Sequence, residues 1–268
     1  MSVHHVEIGV GDLDRSVDFY RSLLGARPVE LPGGPDVRWL SVGSVLLKLV
    51  LRPGGDLSGW RNDNLQRGVR HLGFKVGDVD AQAERVRDAG VPFTLPPTDA
   101  LGGVRIAFFQ DPDGTHLEFV DNHLTYTTLW SREIADRERL AARTRPRTAG
   151  PIFDHVAVTV ADLDTALTCY RDGLGFEPVG QVTRDDEPDG FVRTYLHAGN
   201  AVLELFSFTS PVTPGPRVSD STHGVRHVAV TVDDPERAAE RLLAAGAARG
   251  ENGVILDPDG VPLTPITR

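Results

Sequence analysis

Four histidines in this chain head the same kind of run: "HVEIGV" from His5, "HLGFKV" from His71, and "HVAVTV" from both His155 and His227. An imidazole offers a metal ion a neutral nitrogen and offers a reaction a group that titrates near neutrality, so this recurrence is a chemical signal. Each run alternates with the period of a strand, which sets Val156, Val158 and Val160 on one face and His155, Ala157 and Thr159 on the other. The valines are expected to face a helix and the histidines a cavity. The run "FVRTYLHAGN" alternates too, placing Arg193, Tyr195 and His197 on one face. Turned toward a cavity, Arg193 would bind an anionic group of a substrate while Tyr195 and His197 move protons; in the opposite register all three are solvent-exposed. Lys48 and Lys75 are the only lysines, and Lys75 shares the face of His71 as Glu7 shares that of His5.

The elements that position these residues repeat. "HVEIGVGDLDRSVDFYRSLLGARPV" from His5 matches "HVAVTVADLDTALTCYRDGLGFEPV" from His155, and "HLGFKVGDVDAQAERVRDAG" from His71 matches "HVAVTVDDPERAAERLLAAG" from His227. Each copy reads as a strand, an Asp-rich step that caps a helix, apolar residues at helical spacing such as Leu13, Val17, Tyr20 and Leu24, and a closing glycine at 25, 90, 175 or 246. Further strand-like runs follow, two of them turning at "DPDG" (Asp111 to Gly114 and Asp257 to Gly260). The fourth copy is about half as long as the second between its closing glycine and that turn, which predicts a trimmed strand and a more open second cavity.

The opening "H-V-A-V-x-V-x-D-L-x-x-A", repeated and closed by "DPDG-x-x-L-E", resembles the vicinal oxygen chelate superfamily of glyoxalases, extradiol dioxygenases, epimerases and antibiotic-resistance proteins. The resemblance implies an α+β fold in which pairs of βαβββ units close into barrel-like cups. Taken in sequence order, it predicts two tandem domains: a first cup over residues 1–122, a helical linker over 123–150 and a second cup over 151–268. It also implies that the last strand of each unit brings a carboxylate to the strand-leading histidines. Glu118 and Glu204 occupy such positions, whereas Lys48 and Thr264 stand where the other two would be. In this reading the first cup holds a metal with His5, His71 and Glu118, and the second with His155, His227 and Glu204. Each is a two-histidine, one-carboxylate set with positions left open, which departs from the four-ligand glyoxalase site. The alternative for the first cup is a charge-filled relic in which Lys48 pairs with Glu118 and Lys75 with Glu7. The stretch "YLH-x-x-N" is similar to the dioxygenase strand that carries an acid/base histidine.

The cofactor expected from that set is a divalent metal, iron(II) first, with manganese, zinc, nickel and cobalt as alternatives. The corresponding function is a dioxygenase-like oxidoreductase acting on a small oxygen-rich or aromatic metabolite. A redox-neutral lyase or isomerase of glyoxalase type and a drug- or metabolite-sequestering protein are the alternatives. A formal net charge of −10 argues against a phosphate-tracking surface and hence against nucleic acid. Without an apolar run long enough to cross a bilayer, the expectation is a cytoplasmic protein with a small-molecule partner, and a homodimer is compatible. The lone Cys169 falls at an apolar position of a helix and is expected to be buried filler.

Overall fold

The structure is a computed structural model that describes residues 1–185, 190–250 and 253–267. All four predicted units are present. Asp12, Asp78, Asp162 and Asp234 each accept a backbone N–H three residues on, and so cap the helices Leu13–Leu24, Val79–Asp88, Leu163–Leu167 and Pro235–Ala244. Gly25 then takes a left-handed conformation, with φ of 62°, to end the first of them. In the fourth unit the middle strands shrink to Ala248–Arg249 and Ile255–Leu256, against Phe93–Ala100 and Val104–Gln110 in the second.

The strands form an eight-stranded and a nine-stranded sheet, and here the structure departs from sequence order. The leading strand of the first unit, Ser2–Val10, pairs antiparallel with that of the fourth, Gly224–Thr231. The leading strand of the second, Gly68–Lys75, pairs antiparallel with that of the third, Ile152–Thr159. Each cup therefore draws one unit from each half of the chain, and neither of the cups expected within residues 1–122 or 151–268 forms.

The reason lies in how units of one half meet. Their helices pack together, and the helix of one is pinned to the "DPDG" turn of the next: Tyr20 donates to Asp111 at 2.8 Å, and Tyr170 to Asp257 at 2.7 Å, all four groups buried. This contact puts the two leading strands of a half in different sheets, each with an unpaired hydrogen-bonding edge that the other half must satisfy. The inward valines Val6, Val156, Val158 and Val228 join Tyr20, Tyr170 and Cys169 in one apolar core between the sheets. The opposite, concave face of each sheet is left for the histidines.

The linker is more than a spacer. Thr128–Leu129 adds an edge strand to the nine-stranded sheet, and the helix Arg132–Thr144 packs Ile134 and Ala135 onto Val179, Val182 and Tyr195. Asp111 accepts two backbone N–H bonds on its other oxygen, so Tyr20 is the side chain that satisfies Oδ2. Replacing Tyr20 with Phe leaves a buried acceptor short of a partner and should lower stability by about 1–3 kcal/mol. Urea denaturation should show a lower midpoint at unchanged slope; an unchanged midpoint rules out a supporting role for this bond.

Candidate metal centre

The pairing of the second and third units decides what the histidines do. Across it, His71 lies opposite Ala157 and His155 opposite Gly73. The flanking parallel strands set Glu118 beside Gly73 and Glu204 beside Ala157. Four adjacent strands thus bring four ligand-type side chains to one level of the concave face. A side chain at position 73 could not coexist with them, since a Cβ there would stand 2.0 Å from the His155 ring.

Nε2 of His71 and Nε2 of His155 are 3.1 Å apart. Oε2 of Glu118 lies 3.3 Å from the first and 2.9 Å from the second, and Oε2 of Glu204 lies 3.8 and 3.5 Å from them. All four residues are buried. Nδ1 of His155 is bonded to Asp154 at 2.9 Å, which commits that nitrogen as a donor and holds Nε2 toward the centre. Oε1 of Glu204 accepts from the Tyr195 hydroxyl at 2.7 Å, with the Arg193 guanidinium 3.6 Å away.

The electrostatics match this crowding. Burial alone would lower the His155 pKa, but the hydrogen bonds it donates to Asp154 and Glu118 outweigh it and push the imidazole up to about 10. Burial holds His71 below its ordinary value despite Glu118. Burial would raise Glu118, yet its bonds to both imidazoles bring it below the usual carboxylate range. Two imidazole nitrogens and two carboxylate oxygens converging in a buried space form a donor set suited to a borderline divalent cation, which would take the place of the protons they share. Histidine and glutamate in equal number do not single out iron.

The metal sets expected from sequence order are therefore corrected. His71 and Glu118 are joined by His155 and Glu204 rather than by His5, and the four-ligand pattern that each half seemed to lack is complete across the halves. His5 meets His227 in the other cup, their Nε2 atoms 3.3 Å apart, with no glutamate at either carboxylate position. There Lys48 replaces one and pairs with Glu7 at 2.8 Å, Arg226 bonds the same carboxylate at 3.0 Å, and Thr264 stands at the other. Burial and the neighbouring His227 push His5 down to about 3. Lys48 thus pairs with Glu7 and not Glu118, while Lys75 approaches Asp154 at 3.7 Å. The shortened strands of the fourth unit belong to this charge-filled cup and so do not open the His155 site.

Beside the four ligands lies a cavity of about 290 Å³. Arg193, Tyr195 and His197 all line it, with Val104, Ile106, Ala201 and the linker's Tyr126, Glu138, Ala141 and Ala142. Tyr195 is committed to Glu204, and burial holds its hydroxyl well above the usual tyrosine range. His197 is half-buried on the wall, its pKa lowered by burial, and makes no hydrogen bond to the ligand set among the described residues. Asp154, Tyr126 and Glu138 did not emerge from the sequence. For Asp154 a signal existed: it is the only acid among the residues preceding the four leading histidines, His4, Arg70, Asp154 and Arg226.

Comparison with known proteins agrees with this architecture. The model of the Glyoxalase/Bleomycin resistance protein/Dioxygenase superfamily matches residues 2–119 and 152–263. The chain belongs to that superfamily. It is 32% identical over 138 residues to a lactoylglutathione lyase of Haemophilus influenzae, covering 48% of this chain and 98% of that protein. A probable chloroplastic lactoylglutathione lyase of Arabidopsis thaliana is 26% identical over 280 residues, covering 96% of this chain and 70% of that one. Glyoxalase I of Zea mays shares the fold, with a TM-score of 0.72 at 22% identity over 99% of this chain and 92% of the other. Among the described residues no helix is long and apolar enough to cross a membrane.

Two cups with such different contents should bind metal unequally. Elemental analysis of the purified protein is expected to give about one divalent ion per chain, lost in His71→Ala or His155→Ala and retained in His5→Ala or His227→Ala. Asp154→Ala, which frees Nδ1 of His155, should weaken metal binding by about 10- to 100-fold. Metal that disappears with His5 or His227 would place the centre in the other cup.

Proposed function

We propose that the protein is a redox-neutral, metal-dependent isomerase or lyase of the glyoxalase type, acting on a small molecule with oxygens on neighbouring carbons. The observation that carries this reading is the second carboxylate. An iron(II) oxygenase is served by two histidines and one carboxylate with positions left free for substrate and dioxygen, whereas here Glu204 joins Glu118 at the same point. The lactoylglutathione lyases among its relatives support the same reading.

His71, Glu118, His155 and Glu204 would hold a divalent ion, which when bound would supply Lewis-acid polarisation of the substrate's oxygens. The chain's own residues divide the remaining work. Glu204 is fixed by Tyr195, with the Arg193 guanidinium beside it, and these contacts restrain its movement. Glu118 touches only the two imidazoles among its side-chain partners in the described residues. Glu118, the less restrained of the two carboxylates, is accordingly assigned as the group that takes a proton from the carbon bearing the hydroxyl and returns it to the neighbouring carbonyl carbon, while the hydroxyl proton passes to the former carbonyl oxygen. The electrons shift within the substrate, so no oxidant is consumed. Tyr195 positions Glu204, Arg193 steadies charge beside it, and His197 is part of the cavity wall, a smaller role than its place in the sequence suggested.

Glu118→Gln should lower turnover by about 100-fold or more, the usual yield of one general base, while His71, His155 and Glu204 keep metal bound. Tyr195→Phe should cost less than Glu118→Gln, with metal again retained. An oxygen electrode should register no uptake during turnover. Stoichiometric uptake of dioxygen would overturn this reading in favour of the oxygenase.

A further inference from the structure

We infer that the substrate carries its reacting oxygens on a compact apolar body, aliphatic or aromatic, and that the linker helix Arg132–Thr144 selects it. This inference rests on the proposed function only for which end of the molecule reacts. The cavity has two dissimilar ends. Glu118, His155 and Glu204 form the reactive end; beyond Glu118 along its strand come Val120 and, opposite it, Ile106, and Val104, Leu124 and the linker helix's Ala141 and Ala142 add further apolar lining among polar groups such as Asn122, His123 and Asn200. At about 290 Å³ it falls at the lower edge of the range of about 300–1,000 Å³ in which small-molecule sites are usually found.

The charges on its walls are already engaged. Lys75 donates to the carbonyl of Asn122 at 3.2 Å and approaches Asp154 at 3.7 Å. Arg145 donates to the carbonyls of Lys75 and Gly150, and Arg193 to that of Leu101, with Glu204 alongside. Glu138 accepts from Tyr126 at 2.8 Å, and burial raises its pKa. With these pairs made, a cavity of about 290 Å³ is small for a tripeptide thiol conjugate, whose two carboxylates and amine would each need a partner on burial.

The linker belongs to none of the four repeated units, yet it supplies one wall. It is held in place by Ile134 and Ala135 on Val179, Val182 and Tyr195, by the Tyr126–Glu138 bond and by Arg145. The small side chains Ala141 and Ala142 therefore leave space over a fixed support.

Calorimetry on the metal-loaded protein tests this with three probes. Acetohydroxamate and benzohydroxamate present the same oxygen pair on a methyl and a phenyl group, and S-hexylglutathione presents the tripeptide. Benzohydroxamate should bind at least about 10-fold more tightly than acetohydroxamate, in keeping with burial of the larger apolar group, and more tightly than S-hexylglutathione. Ala142→Trp should erase the advantage of the phenyl group and leave acetohydroxamate affinity and metal content unchanged. Equal binding of the two hydroxamates, or tighter binding of S-hexylglutathione, would overturn the inference; both comparisons need only the unmodified chain. Dioxygen uptake with this hydroxamate order intact would refute the isomerase reading and leave the substrate class standing.

Discussion

One backbone ladder governs this molecule: the antiparallel pairing of Gly68–Lys75 with Ile152–Thr159. It is the seam along which the halves of the chain join, and it carries one histidine from each. Sliding it by a single residue would turn every side chain of one strand to the other face, sending His155 into the apolar core and Val156 into the cup. The ladder is pinned on both sides. Buried valines hold it from the core, and the His155 ring lies over Gly73, where a larger residue has no room.

The contrast between the cups shows what that seam demands chemically. Both are built the same way, and the residue two positions after the leading histidine is Gly73, Ala157 and Ala229 in three units but Glu7 in the first. An acid there would itself need a cation once buried, and Lys48 and Arg226 supply it from within the protein. In the other cup the corresponding positions are small, so His71, Glu118, His155 and Glu204 close in on an open point. Similar strand ladders thus hold an internal ion network in one case and a ligand set in the other.

Much of this was legible before the fold was known. Four caps at Asp12, Asp78, Asp162 and Asp234, the inward valines and the cup-facing histidines all follow from local spacing, because helix caps and strand alternation are short-range effects. Partner choice was not legible. A strand edge presents the same amide and carbonyl groups whatever its sequence, so nothing in "HLGFKV" states which other leading strand it will meet. That choice is made by Tyr20 and Tyr170 docking onto turns in the neighbouring unit, far along the chain from the edges they steer. Dividing the ligands by sequence order therefore left each half one acid short, although Glu118 and Glu204 had both been placed on the correct strands. The linker's part in the cavity was hidden for a similar reason, since its charged surface residues outnumber the few, such as Ile134 and Ala142, that face inward.

Because the candidate ligands come in equal number from the two halves, occupancy of the centre is thermodynamically tied to the docking of those halves. Any ion held there binds the joined form and finds only half a coordination shell on either piece alone, so by mass action it adds RT ln(1 + [ion]/Kd) to the free energy of association. The same linkage runs in reverse: whatever loosens the seam weakens the ion's hold. In a chain assembled in this way, an ion bound at the centre would strengthen the cohesion of the halves, and its loss would soften the seam between them.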